Sequence, residues 1–381
     1  MHPERIVIFG ITGSIGTNTE KVISAFSDKY SIVGCSSGKN TSRLNEIVRK
    51  HPSINDVCVL DEDEVVKVDG NLNIYCGEEG LFKLLDMKPD KVVMALPGKQ
   101  GWKITLRAVE MGIPVLLANK ESLVIAGFFL GREVTADRTK IVPIDSEHAA
   151  LLQILDGLEK KNISKVYLTA SGGALRDMSR QEMLEAKVEQ ALDHPVWSMG
   201  AKVTVDSATM LNKGMELIEA FWLFDIEPEM LDVLVHPEVN VHAAVICKDG
   251  SSMAQVAPSS MIIPIASALS YPEMLPVAEK FPELISKYEN HSMNFFAPDL
   301  DKYPMLKLAF ELLKSKDFSG MVAYAISDEV AVEKFLKGET TVLEIHQTVA
   351  KAVTHFSNRS KLRNISELSD YIREIEEFCK D

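Results

Sequence analysis

Short apolar runs alternate with amphipathic stretches over the first 145 residues. The apolar runs predict strands at Ile6–Phe9, Ser31–Cys35, Val57–Leu60, Val92–Ala95, Pro114–Leu117 and Lys140–Ile144. Helical spacing falls between several of them, at Thr17–Ser27, Ser42–Lys50, Gly80–Leu85 and Lys99–Met111. This alternation is typical of a parallel sheet with helices on both faces. We therefore expect a doubly wound α/β domain over residues 1–145.

The pattern changes three times after this domain. Residues 146–257 contain a strand at Lys165–Leu168 and a hairpin at Val241–Cys247 and Ser252–Ala257, which predicts a central α+β domain. Residues 258–303 are rich in proline and predict a connecting linker. Residues 304–381 predict a C-terminal four-helix bundle, with helices at Pro304–Lys314, Ser319–Lys337, Val342–Phe356 and Ser366–Cys379.

Composition narrows the class of protein. The 381 residues are 46% hydrophobic and 25% charged, as in soluble globular proteins, and the net charge of −14 disfavours nucleic acid and anionic membrane as partners. Apolar runs stay well below the roughly 18 to 20 residues that span a bilayer, and we expect no signal peptide. The five cysteines are scattered without CxxC spacing, which favours a reducing, cytoplasmic compartment over a disulfide framework or a zinc ribbon.

A glycine-rich turn follows the first predicted strand. Gly10, Gly13 and Gly16 lie where a helix opens, so the backbone can approach a pyrophosphate at the helix N-terminus. The spacing departs from GxGxxG, and an ordinary glycine-rich turn is the alternative. The second strand ends in Cys35–Asn40 without the carboxylate typical of NAD-binding folds. The hydroxyls of this segment and Lys39 favour NADP, unless Lys39 is only a solvated loop lysine. The sheet is therefore predicted to be Rossmann-like.

Two polar segments follow later strands of the same sheet. Asn119, Lys120 and Glu121 are placed to reach cofactor or substrate, or else they form the N-terminus of a helix. Asp145 and Glu147 follow the sixth strand, and in extended backbone their side chains would point to one side. Two such carboxylates suit Mg²⁺ or Mn²⁺ better than zinc. The alternative is that Asp145 or Ser146 caps a helix over Ala149–Leu158.

The densest polar cluster lies between residues 169 and 216. Ser171 follows a strand, and Ser207, Asn212 and Lys213 add the neutral donors and the single charge that a phosphate monoester needs. Glu216 lies on the same predicted helix as Lys213 and offers a third carboxylate. Trp197, in a loop that starts at His194, resembles a lid element. The alternatives are a core tryptophan, a surface His194 and a solvated Lys213.

Taken together, these segments resemble the 1-deoxy-D-xylulose 5-phosphate reductoisomerase family over essentially the whole chain. The resemblance rests on GITGSIG, LANKESLV, PIDSEHAALLQ, TASGGALR and HPVWSMGAKVTVDSATMLNKGMELIEA. The chain departs from the family at Ile11, where serine is usual, and at Ala174-Leu175, where Pro-Phe is common. Neither departure replaces a functional side chain.

The resemblance implies a role for individual residues. NADPH would be held by Thr12, Gly13, Ser14, Ile15, Gly38, Lys39, Asn40, Asn119, Glu121 and Gly200. The divalent cation would be bound by Asp145, Glu147 and Glu216. The substrate would contact Lys120, Ser146, Glu147, Ser171, His194, Ser207, Asn212, Lys213 and Glu216. The catalytic residues would be Lys120, Glu147, His194 and Trp197, with Trp197 covering the carbon skeleton.

The resemblance also implies an activity. Family members are homodimers that convert 1-deoxy-D-xylulose 5-phosphate, a small phosphorylated sugar, to 2-C-methyl-D-erythritol 4-phosphate in isoprenoid biosynthesis. Mg²⁺ or Mn²⁺ would act as a Lewis acid and NADPH would reduce a rearranged aldehyde, by a retro-aldol or a concerted route. A plain NADP-dependent dehydrogenase of another phosphorylated metabolite is the alternative. A silent NADP-binding sensor would leave the carboxylates and Lys213 without a purpose.

Overall fold

The chain folds into two compact units. The computed structural model describes residues 2–137, 139–285, 292–359 and 362–380. The first unit comprises Met1–Ser122, Leu130–Ala149 and Ser260–Ile285. The second comprises Leu123–Phe129, Ala150–Ser259 and Ser286–Asp381. The predicted boundaries at 145, 257 and 303 stay predictions.

The first unit is built on a seven-stranded sheet in which every neighbouring pair is parallel. Its strands are β1 (Glu4–Phe9), β2 (Tyr30–Ser37), β3 (Asp56–Val59), β4 (Asn73–Cys76), β5 (Lys91–Met94), β6 (Val115–Leu117) and β7 (Ile141–Pro143). Their order across the sheet is β4-β3-β2-β1-β5-β6-β7. The central strands are buried on both faces, which explains why they are continuous apolar runs in the sequence.

Helices connect most of these strands, so the predicted alternation is confirmed. The connecting helices are α1 (Ser14–Ala25), α2 (Thr41–Lys50), α3 (Gly77–Asp86), α4 (Trp102–Glu110) and α5 (Glu121–Ala136); a 3₁₀ turn joins β3 to β4, and α6 (Ser146–Asp156) follows β7. Sequence patterning missed β4 and α5. β4 is a short, partly exposed edge strand, and the first half of α5 is buried nearly all round, so that it shows no amphipathic period.

The strand order creates a crevice at the carboxyl edge of the first unit's sheet. β1 lies between β2 and β5, and the connections that leave β1 and β5 run in opposite directions along the sheet. Ligands of doubly wound folds bind at this topological switch point. The glycine-rich turn after β1 and the loop after β5 are both placed there by the topology.

The second unit contains a mixed four-stranded sheet. Its strands are β8 (Ile163–Ala170), β9 (Leu231–Val235), β10 (Val241–Cys247) and β11 (Ser252–Val256), in the order β11-β10-β8-β9. β10 is antiparallel to both of its neighbours, which confirms the predicted hairpin, whereas β8 and β9 are parallel. Helices α7 (Arg180–Leu184), α8 (Val188–Leu192), α9 (Ala201–Ala208) and α10 (Leu211–Phe224) lie between β8 and β9 in the chain.

The predicted linker contains two helices of the first unit, α11 (Ile262–Ser270) and α12 (Val277–Lys280). α11 is buried and packs against α1 and β7, so this part of the segment contributes to the core. The remaining described helical turns are 3₁₀ in form and lie at Glu62–Lys67, Gly98–Gly101, Lys160–Asn162, Pro228–Met230 and Pro282–Leu284.

The C-terminal region forms four helices, as predicted. They are α13 (Pro304–Ser315), α14 (Phe318–Leu336), α15 (Val342–Phe356) and α16 (Ile365–Phe378). α14 contacts the other three, and α13 also packs against α10. Over the described ranges of the chain, no helix has the length and the apolarity needed to cross a bilayer.

Candidate active site

The turn between β1 and α1 requires glycine at two positions. Gly10 has a φ of +84°, and a Cβ there would lie 2.5 Å from the carbonyl oxygen of Ala95. A Cβ on Gly16 would lie 2.3 Å from the carbonyl oxygen of Gly10. The tight turn brings the start of α1, with its unpaired N–H groups, to the carboxyl edge of the sheet.

A cavity of about 690 Å³ opens at this turn, and the first unit supplies all of its lining. The lining residues are Gly10, Thr12, Gly13, Gly38, Lys39, Leu60, Asp61, Glu62, Asp63, Ala95, Leu96, Pro97 and Gln100. Four predicted cofactor residues are thus brought together: Thr12, Gly13, Gly38 and Lys39. The sequence analysis did not predict that the segments after β3 and β5 line this cavity. Their position at the carboxyl ends of neighbouring parallel strands could have indicated it.

The hydroxyls at the end of β2 hold the turn instead of facing the cavity. The Ser36 hydroxyl accepts a hydrogen bond from the Gly10 amide at 3.0 Å, and Ser37 shares a 2.9 Å hydrogen bond with Thr12. Both serines are fully buried, so the expectation that they face a 2′-phosphate is wrong. Lys39 is exposed beside the cavity, and the Asn40 side chain caps α2 by accepting from the Arg43 amide.

Asn119 is the N-terminal cap of α5 and also fixes the loop after β5. Its carboxamide donates to the carbonyl oxygens of Leu96 and Gly98, at 2.9 and 2.7 Å. The carboxamide oxygen accepts from the Ser122 amide at 3.1 Å. The carboxamide nitrogen also donates to the Glu121 carboxylate at 2.9 Å. The capping alternative is therefore correct for this buried side chain, and capping also orders the wall of the cavity.

The two carboxylates after β7 are not on extended backbone, so that expectation is wrong. β7 ends at Pro143 and α6 begins at Ser146, which places Asp145 just before the helix, with its Oδ1 3.3 Å from the Glu147 amide. The helical turn still keeps carboxylate oxygens of Asp145 and Glu147 within 4.8 Å of each other. The Ser146 hydroxyl donates to Glu147 at 2.5 Å.

Lys120 neutralises part of this charge. Its ammonium group lies 2.7 Å from Asp145 Oδ2, and both side chains are largely buried. His148 Nδ1 lies 3.4 Å from the other Asp145 oxygen. The first unit therefore presents a carboxylate pair with a buried cation beside it, an oxygen-rich set that suits a hard divalent ion.

In the second unit, Ser171 and His194 are hydrogen-bonded. His194 Nε2 lies 3.0 Å from the Ser171 hydroxyl, and His194 Nδ1 accepts from the Trp197 amide at 2.9 Å. These partners place the ring proton on Nε2. Burial lowers the pKa of His194, and the charge of Arg176 lowers it further, so the ring is neutral at pH 7. The reading of His194 as a simple surface histidine is wrong.

Close backbone packing brings the Ser171 turn onto the end of α9. Gly173 has a φ of +71°, and a Cβ there would lie 2.4 Å from the carbonyl oxygen of Ser207. Ser207 lies in the last turn of α9, and Met210, in the left-handed conformation, leads directly into α10. The turn after β8 and the start of α10 are thus joined through α9.

α10 carries three of the predicted residues on one face. Lys213 and Glu216 are 3% and 2% exposed, and their side chains form an ion pair; the Asn212 carboxamide also donates to Glu216. The solvated-lysine alternative is wrong because Lys213 is buried. Trp197 is half-buried in the loop before α9, which excludes a core position, and Gly200 is exposed at the α9 N-terminus.

Family models match three stretches of this chain. One, described as 1-deoxy-D-xylulose 5-phosphate reductoisomerase, matches residues 6–127, and two described as its C-terminal domains match 141–224 and 256–375. A 1-deoxy-D-xylulose 5-phosphate reductoisomerase of Exiguobacterium sibiricum is 40% identical over 93% of each chain. The chain belongs to the 1-deoxy-D-xylulose 5-phosphate reductoisomerase family. The Bacillus subtilis reductoisomerase is 39% identical over 99% of this chain and 97% of its own.

Solved structures of reductoisomerases share the whole fold. One, in complex with NADPH, fosmidomycin and magnesium, has a TM-score of 0.90 at 32% identity, covering 99% of this chain and 97% of its own. The Zymomonas mobilis reductoisomerase in complex with NADPH has a TM-score of 0.86 at 30% identity, covering 99% and 98%. The predicted family, fold class and enzyme class are confirmed.

Proposed function

We propose that this chain converts 1-deoxy-D-xylulose 5-phosphate to 2-C-methyl-D-erythritol 4-phosphate with NADPH and Mg²⁺ or Mn²⁺. The observation that supports the proposal most directly is the buried Lys213–Glu216 pair on α10, with the partly buried Asn212 bonded to Glu216. Burying a lysine and a carboxylate costs desolvation free energy. In this proposal the lysine binds the phosphate of the substrate, and the carboxylate binds the cation that the substrate chelates. The predicted cofactor classes match the NADPH and magnesium of the solved reductoisomerases.

The cavity of the first unit fits the dinucleotide. Its glycine turn leaves room for a pyrophosphate against the α1 N-terminus, where the amides of Ser14 and Ile15 are the proposed donors. The Gly13 amide donates to the Gly10 carbonyl oxygen, so Gly13 is proposed to contact the cofactor through its lack of a side chain. Lys39 is the cation proposed for the 2′-phosphate. Further cofactor contacts are proposed for Thr12, Gly38, Asn40, Asn119 and Glu121 of the first unit and for Gly200 of the second. Bound NADPH supplies the hydride for the reduction.

The carboxylates Asp145, Glu147 and Glu216 are the proposed ligands of the cation. The set offers only oxygen donors, which is the chemistry that Mg²⁺ and Mn²⁺ prefer. A bound divalent cation supplies Lewis acidity toward the substrate ketone and hydroxyl oxygens. Lys120 holds Asp145 in place and keeps the local charge balanced through its 2.7 Å contact.

The second unit is proposed to orient the substrate by its phosphate. Ser171, Ser207 and Asn212 offer neutral donors, and Lys213 supplies the charge. Neutral His194 has its proton on Nε2 and donates it to the Ser171 hydroxyl oxygen, which leaves the hydroxyl proton of Ser171 to donate to the phosphate. Lys120, Ser146 and Glu147 are proposed to contact the sugar, with Trp197 covering the carbon skeleton and excluding water.

We also propose a homodimer and a cytoplasmic location. The edge strand β11 is largely exposed along its length, with Met253 43% exposed, and such an edge is suited to pairing with a second copy. The five cysteines are all unpaired thiols, which is the usual state in a reducing compartment. Light scattering should give about twice the chain mass of 42.2 kDa.

One assay tests the function. NADPH consumption should require both 1-deoxy-D-xylulose 5-phosphate and Mn²⁺, stop on chelation and resume when the metal is restored. Mass spectrometry and NMR should identify the branched product 2-C-methyl-D-erythritol 4-phosphate. Formation of an unbranched pentitol phosphate, or turnover that is indifferent to chelation, would instead support the plain dehydrogenase.

A further inference from the structure

The turn that follows Ser171 is held by a lysine distant in sequence. The Lys302 ammonium group donates to the carbonyl oxygens of Leu175, Arg176 and Met178, at 3.2, 2.6 and 2.5 Å. An ammonium group has three N–H donors, and these three bonds use all of them. Lys302 therefore serves the backbone of this turn.

The conformation of Lys302 is itself fixed by its surroundings. The Asp299 carboxylate accepts from the Lys302 amide at 3.1 Å, and the ammonium group lies 5.3 Å from the centre of the Tyr303 ring. Tyr303 is buried, and its hydroxyl donates to the Gly172 carbonyl oxygen at 3.4 Å. Neighbouring side chains of one segment thus hold both ends of the same turn.

The turn passes this constraint on to the phosphate site. The Arg176 guanidinium group donates to the Ser171 carbonyl oxygen at 2.9 Å, and its side chain packs over Gly172. Lys302 binds the carbonyl oxygens of Leu175, Arg176 and Met178, so it fixes the backbone from which the Arg176 side chain extends. The Ser171 hydroxyl in turn faces His194.

The same segment also leads to the other half of the site. Lys302 lies two residues before α13, which packs against α10. The contact is close, because a Cβ on Gly214 of α10 would lie 2.9 Å from the Ala309 Cβ of α13. One short stretch of chain therefore joins the Ser171 turn to the helix that carries Lys213.

We propose that Lys302 is a positioning residue that fixes the spacing between the Ser171 turn and the Lys213 helix, and so sets the affinity for the substrate phosphate. This inference rests on the proposed function, because that function makes the two elements one phosphate site. Lys302 does not touch the substrate. Its effect should therefore be specific to the phosphate and absent from cofactor binding. The residues that line the cofactor cavity lie in the first unit, and Gly200, the proposed cofactor contact of the second unit, is not among the residues that Lys302 holds.

The test compares Lys302→Met with the unmodified chain. The dissociation constant for inorganic phosphate should rise about tenfold, the loss expected when one charge-assisted hydrogen bond is misplaced. The value of kcat/KM should fall about as much for 1-deoxy-D-xylulose 5-phosphate and much less for 1-deoxy-D-xylulose. The dissociation constant for NADPH should not change.

Lys334→Met is the matched control. Lys334 donates to the carbonyl oxygens of Cys379 and Lys380, at 2.9 and 3.2 Å, and so caps backbone in the same unit away from the phosphate site. It should lower Tm without changing phosphate affinity. If Lys302→Met leaves phosphate affinity unchanged, or changes it no more than Lys334→Met does, the proposal is wrong.

Two further arms keep the outcome decisive. If Lys302→Met does not fold, Lys302→Gln, which retains two N–H donors, carries the same comparison, and Lys302→Arg should restore most of the affinity. If the unmodified chain does not turn over 1-deoxy-D-xylulose 5-phosphate, the proposed function fails, while the phosphate titration still tests Lys302. An unmodified chain that binds no phosphate would overturn the inference as well.

Discussion

At the scale of single residues, buried charges distinguish this site from ordinary surface chemistry. Lys213 and Glu216 are three residues apart on a helix, a spacing that is equally common on exposed faces. The sequence therefore could not decide between a solvated lysine and a phosphate ligand. The structure excludes the solvated lysine through burial, because Lys213 is 3% exposed and α13 and α14 lie close to α10 at Gly214.

Replacing Lys213 tests the phosphate role. Lys213→Ala should lower kcat/KM for 1-deoxy-D-xylulose 5-phosphate by roughly tenfold to more than a hundredfold, the value of about 1.5 to 3 kcal/mol for a charge-assisted bond. Because phosphate binding also orients the substrate, kcat should fall along with KM. The loss should be much smaller for 1-deoxy-D-xylulose. An equal loss on both substrates would show that Lys213 does not bind the phosphate.

Lys39 tests cofactor choice. NADPH should be strongly preferred over NADH, and Lys39→Ala should reduce this preference up to about tenfold, since one exposed charge contributes modestly. The ratio of kcat/KM for the two cofactors measures it. Lys21→Ala, an exposed lysine of α1 outside the cavity lining, should leave the ratio unchanged. Equal use of both cofactors by the unmodified chain would contradict the assignment.

At the scale of elements, the sequence predicted the strands and helices that have a regular apolar pattern. It did not predict features that depend on tertiary packing. The strands up to β7, apart from β4, and the β10–β11 hairpin follow from apolar runs between turn signals. The fold of residues 144–147 does not follow from the sequence pattern. The helix starts at Ser146, which is three residues before the expected start at Ala149. Asp145 can act as a cap and still offer a carboxylate, so capping and metal binding were not true alternatives.

Asn119 offers a test of how an element's end shapes the cofactor cavity. Asn119→Ala removes a cap and leaves the buried carbonyls of Leu96 and Gly98 without this donor, which should cost about 2 to 4 kcal/mol in the free energy of unfolding. NADPH binding should weaken as well. Asn364→Ala removes only an exposed cap on α16 and should cost about 1 kcal/mol. If urea denaturation gives the same loss of unfolding free energy for both variants, Asn119 acts only as a helix cap and does not also hold the loop after β5.

At the scale of the whole molecule, the proposed ligand residues belong to two units. The cavity proposed for NADPH, the Asp145–Glu147 pair and Lys120 belong to the first unit, and the residues proposed to bind the phosphate, with Glu216, belong to the second. The sequence motifs supplied these candidate residues, but the predicted boundary at 145 separated Asp145 from Glu147, and no motif pointed to the residues that hold the site in place. Arg176 and Lys302 carry no motif of their own, since their role depends on contacts between distant segments.

Stability should depend on pH through His346. Burial, with the charge of Arg180 adding to it, lowers the pKa of His346 to about 4 in the folded chain. The unfolded chain takes up this proton below about pH 6.5, so stability is lost as the pH falls from 6.5 to 4, by up to about 3 kcal/mol. His346→Gln should flatten this slope in urea denaturation. An unchanged slope would mean that His346 titrates alike in both states.

The most direct test of the account is the separation of cofactor binding from turnover in Glu216→Gln. Glutamine keeps the shape of the side chain but loses its charge, so turnover at saturating Mn²⁺ should fall at least about a hundredfold. NADPH affinity should be unchanged. Glu227→Gln, an exposed carboxylate paired with Lys316, is the control and should retain full activity. Near-normal turnover of Glu216→Gln across a range of Mn²⁺ concentrations would contradict the three-carboxylate site.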